Sequence, residues 1–479
     1  MSRTDGPVDL VVVGGGTAGI VGARTAALLG SRVVLVERET PGGDCLYTGC
    51  VPSKSLLAAA HRAQDARSGE PFGVSCDGVR VDFRQVLQRV RDVIATIEPH
   101  DSAEALATYG VETVRGTARL IGPRTLEVEG REIPFARALL ATGASPTVPG
   151  VPGLREAEPL TSDTVWALTE LPRRLVVLGG GAIGCELGQA LARLGADVTV
   201  VEAASRLLPR EDSRAAKVVT HALETDGVRV RTGTSAVRVE SDGRSGTVVV
   251  RRGEVEERLE YDALLVAIGR TPRTQELGLH AAGVAVDDKG FVVVDRGLRT
   301  TNPRIWAAGD LTTHPQFTHV AGVHASIAAS NAVLGLRRRV DLRAVPRVTF
   351  TDPEVASVGV PTGPQEPRDA SIRVLDWPHH RVDRALTDGA AAGFSSIAVD
   401  GRGRVVGATL VGPRAGETLA ELTLAVRMRM KISAIAATTH PYPTYGDGPW
   451  LAAVQEVQAR LRTGTAAAGV RALRALRSR

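Results

Sequence analysis

The chain has 479 residues, 43% hydrophobic and 23% charged, which is ordinary for a globular protein and enough for about three domains. It holds no run of 18 apolar residues, which excludes a membrane-spanning helix. The net charge of +5 resides in residues 461–479, where Arg462, Arg471, Arg474, Arg477 and Arg479 meet no acid; with 3% aromatics and no basic stripe elsewhere, nucleic-acid binding is not supported.

The first residues, MSRTDGPVDL, lack an apolar signal region and run straight into an apolar stretch, which points to the cytoplasm. Residues 9–13 (DLVVV) read as a strand, followed by Gly14, Gly16 and Gly19, an alanine-rich helix and a second strand ending at Glu37. Glycines in that turn let the backbone approach a pyrophosphate at the helix N-terminus, while the acid takes a ribose hydroxyl.

Residues 41–54 read PGGDCLYTGCVPSK. Cys45 and Cys50 lie five positions apart, with Gly43 before them and an apolar helix starting at about Cys50. A cysteine at a helix start meets the positive end of the macrodipole, which favours its thiolate, and the pair could close into a reducible disulfide. A structural disulfide fits poorly in a chain without a secretory signal. A zinc site would need about four ligands, and Cys76 and Cys185 stand in contexts unlike metal knuckles.

The strand–glycine–helix–strand–acid unit then recurs. Residues 175–178 lead into Gly179, Gly181 and Gly184, and VTVVE ends at Glu202. The two copies share the spacing from first glycine to acid. Two dinucleotide sites imply two cofactors, with hydride transfer between them. From about residue 345 the pattern changes to alternating strands, then helices near 417–431 and 447–462. The last stretch has helical apolar spacing at Val470, Leu473 and Leu476; its ordinary reading is a solvated helix, with a membrane-surface or partner role as the outside alternative.

The cysteine segment resembles that of the flavoprotein disulfide reductases, the family of dihydrolipoamide dehydrogenase, glutathione reductase and mercuric reductase. Cysteines, glycines and the Pro-Ser-Lys tail coincide, and the likeness extends over residues 9 to about 460. It implies an α/β fold of two Rossmann-like dinucleotide-binding domains and an α+β dimerisation domain. The expected division is an FAD domain at 1–150 completed by 271–344, an NAD(P) domain at 151–270, a homodimer-forming domain at 345–465 and a basic tail at 466–479. By the same resemblance Ala118 meets the adenine, Thr142 and Gly143 close the FAD domain, Gly269 closes its counterpart and Asp310 binds the ribityl chain. Cys50 faces the flavin, Cys45 is the more exposed sulfur and faces the substrate, and Lys54 pairs with Glu186 beside the flavin. Glu202 favours NADH over NADPH by repelling a 2′-phosphate, although Arg206 leaves room for NADPH.

The resemblance breaks at the acid–base end. Where the family's reductases carry His and Glu, supplied across the dimer, HPYPTYGDGPW offers Tyr442 and Asp447, with His440 matching only a flanking position. A tyrosine of pKa about 10 does not shuttle protons near neutrality. Further departures are Asp44 in place of threonine, Ser396 in place of lysine, and Ala182 where some relatives have a gating tyrosine. No cysteine follows Cys185, unlike the C-terminal pair of mercuric reductases. The expected activity is NAD(P)H-dependent electron transfer through FAD and the cysteine pair to a small-molecule acceptor, a disulfide or another thiol-reactive compound. The alternatives are a mercuric-reductase-like or quinone reductase, or a lipoyl-complex flavoprotein with little turnover of its own.

Overall fold

The structure, a computed structural model, describes residues 7–243, 245–364, 369–462 and 464–478. Its first layer is a parallel sheet in the order Val111–Arg115, Val33–Glu37, Val8–Val13, Arg131–Leu140 and Ile305–Ala307. These strands read as unbroken valine and leucine runs because both faces are covered. Leu10, Val12 and Leu35 pack beneath the helices Thr17–Leu28 and Thr318–Leu334, while Val11, Val34 and Leu140 meet the opposite core. Each such side chain, fully buried, contributes about 1.5–3 kcal/mol. The first half of Arg131–Leu140 also carries an antiparallel meander with Thr125–Val128 and Ala118–Gly122.

The second unit repeats the design. Arg229–Thr232, Asp197–Glu202, Arg174–Leu178, Ala263–Val266 and Leu160–Thr161 form a parallel sheet, flanked by a three-stranded antiparallel sheet at 235–261. The two segments expected to close these units, ASP at 144–146 and RTP at 270–272, pair with each other as a two-stranded ribbon. The third unit is a five-stranded antiparallel sheet under the helices Ala415–Met428 and Asp447–Arg462. No helix among the described residues is long and apolar enough to cross a membrane.

One packing contact sets up the site. The helix Cys50–Arg67, from the first unit, lies against Ala182–Leu194 of the second, with Leu56, Leu57 and Ala60 sharing a core with Leu187, Ala190 and Leu191.

Candidate active site

A cavity of about 2550 Å³ runs between the units. It is lined by Gly14, Gly16, Glu37, Gly43, Ala118, Thr142, Gly143 and Asp310 on one side, and Gly179, Gly181, Glu202 and Gly269 on the other, with Cys45, Cys50, Lys54 and Glu186 in the same wall. Four residues expected in the site do not line it: Gly19, Gly184, Tyr442 and Asp447.

The two glycine turns share their backbone conformation, caps and carboxylate anchors. Gly14 (φ +103°) and Gly179 (φ +111°) hold conformations that L residues avoid, and both helices start after a glycine N-cap with no side-chain cap. The first helical N–H groups are therefore left for a ligand at the positive helix end. Glu37 accepts from the N–H of Gly15 at 2.5 Å and of Glu39 at 2.9 Å; Glu202 accepts from Gly180 at 2.6 Å and Ala204 at 2.7 Å. Each carboxylate is thus fixed by backbone at the rim of its turn. Gly19 and Gly184 correct the expectation of direct contact. A Cβ on either would overlap the carbonyl oxygen of the first glycine of its own turn, so they permit helix and turn to pack rather than face the ligand. Two such cradles, opening into one elongated cavity, fit FAD and a nicotinamide nucleotide.

Arg206 does not line the cavity; its guanidinium donates to the carbonyls of Pro209 and Glu211. Arg210, four residues further on, does line the cavity.

The cysteine segment is pressed against the first cradle, since a Cβ on Gly43 would lie 2.5 Å from the Gly16 Cα. Cys45 sits in the short helix Gly43–Tyr47, and Cys50 opens the helix Cys50–Arg67, whose N-cap Gly49 offers no capping side chain. Both are thiols in this structure. Both sulfur-bearing residues line the cavity, Cys50 at the start of its helix and Cys45 in the short helix before it. Their mutual hydrogen bond pushes Cys50 down to about 6, against the opposing effect of burial, with further help from the Thr318 hydroxyl at 3.3 Å and the charge of Lys54. The same hydrogen bond, then burial, pushes Cys45 well above the ordinary thiol range. The two shifts favour thiolate at Cys50 and a protonated thiol at Cys45.

Lys54 lies one turn along the same helix, where Nζ donates to Glu186 Oε2 at 2.7 Å. Glu186 is held in turn by the N–H of Phe350 at 2.9 Å on Oε1, and the Phe350 ring presents its face to Lys54 Nζ at 4.4 Å from the centroid. Thr318 and Phe350 were not anticipated from the sequence. Thr318 lies 268 residues from Cys50 and Phe350 lies 164 from Glu186, so no local spacing announces them.

Asp44 acquires a reason here. Its carboxylate is gripped by Arg270 and by Arg273 at 3.2 Å, with Asp163 and Asp310 close by. Burial foremost, and then the charge of Asp44 against the opposing arginines, raises Asp310 to about 6.

The C-terminal segment stands apart from this cavity. Tyr442 is 73% exposed and donates to Asp383 Oδ2 at 2.7 Å. Asp447 is buried and accepts from the Thr444 N–H at 3.1 Å, so the two replacements do not pair. His440 is engaged at both ring nitrogens, with Thr438 O at 2.9 Å and Glu421 Oε2 at 3.0 Å.

Residues 8–325 match the family model described as pyridine nucleotide-disulphide oxidoreductase, and residues 345–453 match that family's dimerisation domain. A mercuric reductase of Bacillus cereus is 36% identical over 445 residues, 93% of this chain and 70% of that enzyme. A dihydrolipoyl dehydrogenase of Thermus scotoductus is 37% identical over 451 residues, 92% of this chain and 95% of that enzyme. Among solved structures, the Cu(II) complex of the HOCl-induced flavoprotein disulfide reductase RclA from Escherichia coli superposes with a TM-score of 0.81 at 30% identity, covering 92% of this chain and 98% of that one. LpdA from Mycobacterium tuberculosis gives a TM-score of 0.86 at 29% identity, over 94% and 99%. With its paired glycine cradles and family-wide match, the chain belongs to the pyridine nucleotide-disulphide oxidoreductases, enzymes that use FAD and NAD(P)H.

Proposed function

We propose that this enzyme moves two electrons from NADH through FAD into a Cys45–Cys50 disulfide and from there to a small-molecule, thiol-reactive acceptor. In this reading residues 1–150 with 271–344 hold FAD, 151–270 hold the nicotinamide nucleotide and 345–465 form a homodimer. The observation that carries it is the meeting of both cysteines, the Lys54–Glu186 pair and the two glycine cradles in one cavity.

When bound, FAD supplies the hydride acceptor and the two-electron donor to sulfur. The chain's own groups do the rest. Cleavage of the S–S bond by two electrons and one proton leaves Cys50 as thiolate and Cys45 as thiol, the distribution that their hydrogen bond favours. Lys54 stabilises the Cys50 charge, and Glu186 with Phe350 fixes the ammonium. Cys45 must then lose its proton to attack an acceptor. Glu202 favours NADH, and the turning of Arg206 toward backbone carbonyls leaves that preference unopposed by it. The exposure of Tyr442 outside its own chain's cavity supports a dimer in which that segment serves the partner subunit.

The position of Tyr442 favours an acceptor that needs no histidine relay, such as a quinone or a thiol-bound metal ion, over lipoamide or glutathione disulfide. Intact thiols with a low Cys50 pKa argue against a scaffold without turnover. The test is a screen of acceptors under anaerobic NADH, comparing wild type with Cys45→Ser. Turnover that requires Cys45 supports the proposal. Acceptor reduction at the wild-type rate in Cys45→Ser would leave the flavin alone as the electron donor.

A further inference from the structure

The helix Gly464–Arg477 follows Asp447–Arg462 in the chain. It meets the protein through Ala467, which is 5% exposed. At 3.6 residues per turn, Leu473 lies about 240° and Leu476 about 180° around the helix from Ala467. Every residue from Ala468 to Ser478 is exposed, and on the side away from Ala467 the leucines are 63% and 70% exposed, with Val470 on the same flank. A helix serving only to close off the body would bury this stripe.

Charge is concentrated in the same place. Arg462, Arg471, Arg474 and Arg477, with Arg479 outside the described residues, equal the whole net charge of +5, and no acidic residue follows Leu461. By the same angles Arg477 lies beside the stripe at about 280°, and Arg474 and Arg471 follow at about 340° and 40°, all exposed, so that their long stems can lie along an apolar boundary and carry the guanidinium groups to phosphate oxygens. No helix among the described residues is long and apolar enough to cross a bilayer, whereas a helix with an apolar stripe and a cationic flank can lie in its surface.

We propose that this helix docks the enzyme on an anionic phospholipid surface, with Val470, Leu473 and Leu476 in the headgroup boundary and the arginines on lipid phosphates. The occupant follows from charge complementarity: an outward apolar stripe beside an all-cationic flank matches an interface that is apolar below and anionic above. The helix does not line the active-site cavity, so docking leaves the chemistry in place.

The experiment is co-sedimentation of the full-length, FAD-loaded enzyme with vesicles of phosphatidylglycerol and phosphatidylcholine, and with phosphatidylcholine alone. Binding is expected to the mixed vesicles only and to weaken as salt rises. The Leu473→Asp/Leu476→Asp double variant should lose about tenfold or more in partitioning while reducing its flavin with NADH at the wild-type rate. Absence of binding to anionic vesicles overturns the proposal, as does equal binding by the double variant. So does a wild-type assembly larger than a dimer that the double variant dissolves, because a second copy would then cover the stripe.

Discussion

Replacing Thr318 by valine removes the hydroxyl 3.3 Å from the Cys50 sulfur while keeping the shape of the side chain. A hydrogen bond to a charged group contributes about 1.5–3 kcal/mol, and a sulfur acceptor at this distance belongs at the lower end. One pKa unit corresponds to about 1.4 kcal/mol, so the Cys50 thiol should rise by about one unit from its value of about 6. At about pH 6.5 the thiolate share then falls from about three quarters to about one quarter. The sign is fixed: thiolate is present above the midpoint and lost as pH falls through it, so the variant loses it at higher pH. The assay is the pH dependence of iodoacetamide alkylation in the reduced enzyme, read alongside the long-wavelength thiolate–flavin absorbance. Thr318→Ser, which retains the hydroxyl, should restore the wild-type midpoint. A midpoint that stays in place or moves down in Thr318→Val would refute the assignment of Thr318 as a donor to a Cys50 thiolate.

Phe350→Leu keeps the Glu186 contact, which uses the backbone, but removes the ring face from Lys54; the Cys50 midpoint should rise by less than in Thr318→Val, measured in the same titration. Glu202→Ala should narrow the preference for NADH over NADPH in stopped-flow flavin reduction by about tenfold, equivalent to about 1.4 kcal/mol; a wild type that prefers NADPH would point to Arg210 as the deciding group. Tyr442→Phe should leave NADH-driven flavin reduction unchanged and slow only reoxidation by the acceptor. Equal loss in both half-reactions would remove Tyr442 from an acceptor-side role.

The parts of this enzyme that a sequence can show are those whose chemistry is local. The glycine turns stood out because turn, helix, second strand and acid follow one another within 24 residues, 14–37 and 179–202, directly after a first strand, and the structure gives both acids the same backbone anchors. Lys54 and Glu186 were matched by resemblance, and their 2.7 Å contact arises from helix packing that no spacing encodes. Asp44 read only as a departure, since the arginines that hold it lie at 270 and 273. Ser396 was equally opaque: it sits between Asp376 and Arg214, so a cation does reach the position, but from the neighbouring unit. Tyr442 and Asp447 were read as a pair from motif alignment, and the turn at 442–447 instead sends one outward and closes the other on Thr444.

The most direct measurement of the electron path is anaerobic titration of the enzyme with NADH, followed by absorbance, in wild type, Cys50→Ser and Cys45→Ser. The proposed path requires uptake of two electron pairs per FAD in the wild type, one held by flavin and one by sulfur. A long-wavelength charge-transfer band should appear after the first equivalent. Cys50→Ser should take up one pair and show no band, whereas Cys45→Ser should show the band before any reductant is added, because its Cys50 thiolate has no disulfide partner. A wild type that is fully reduced by one equivalent of NADH, without the band, would contradict a redox-active Cys45–Cys50 pair.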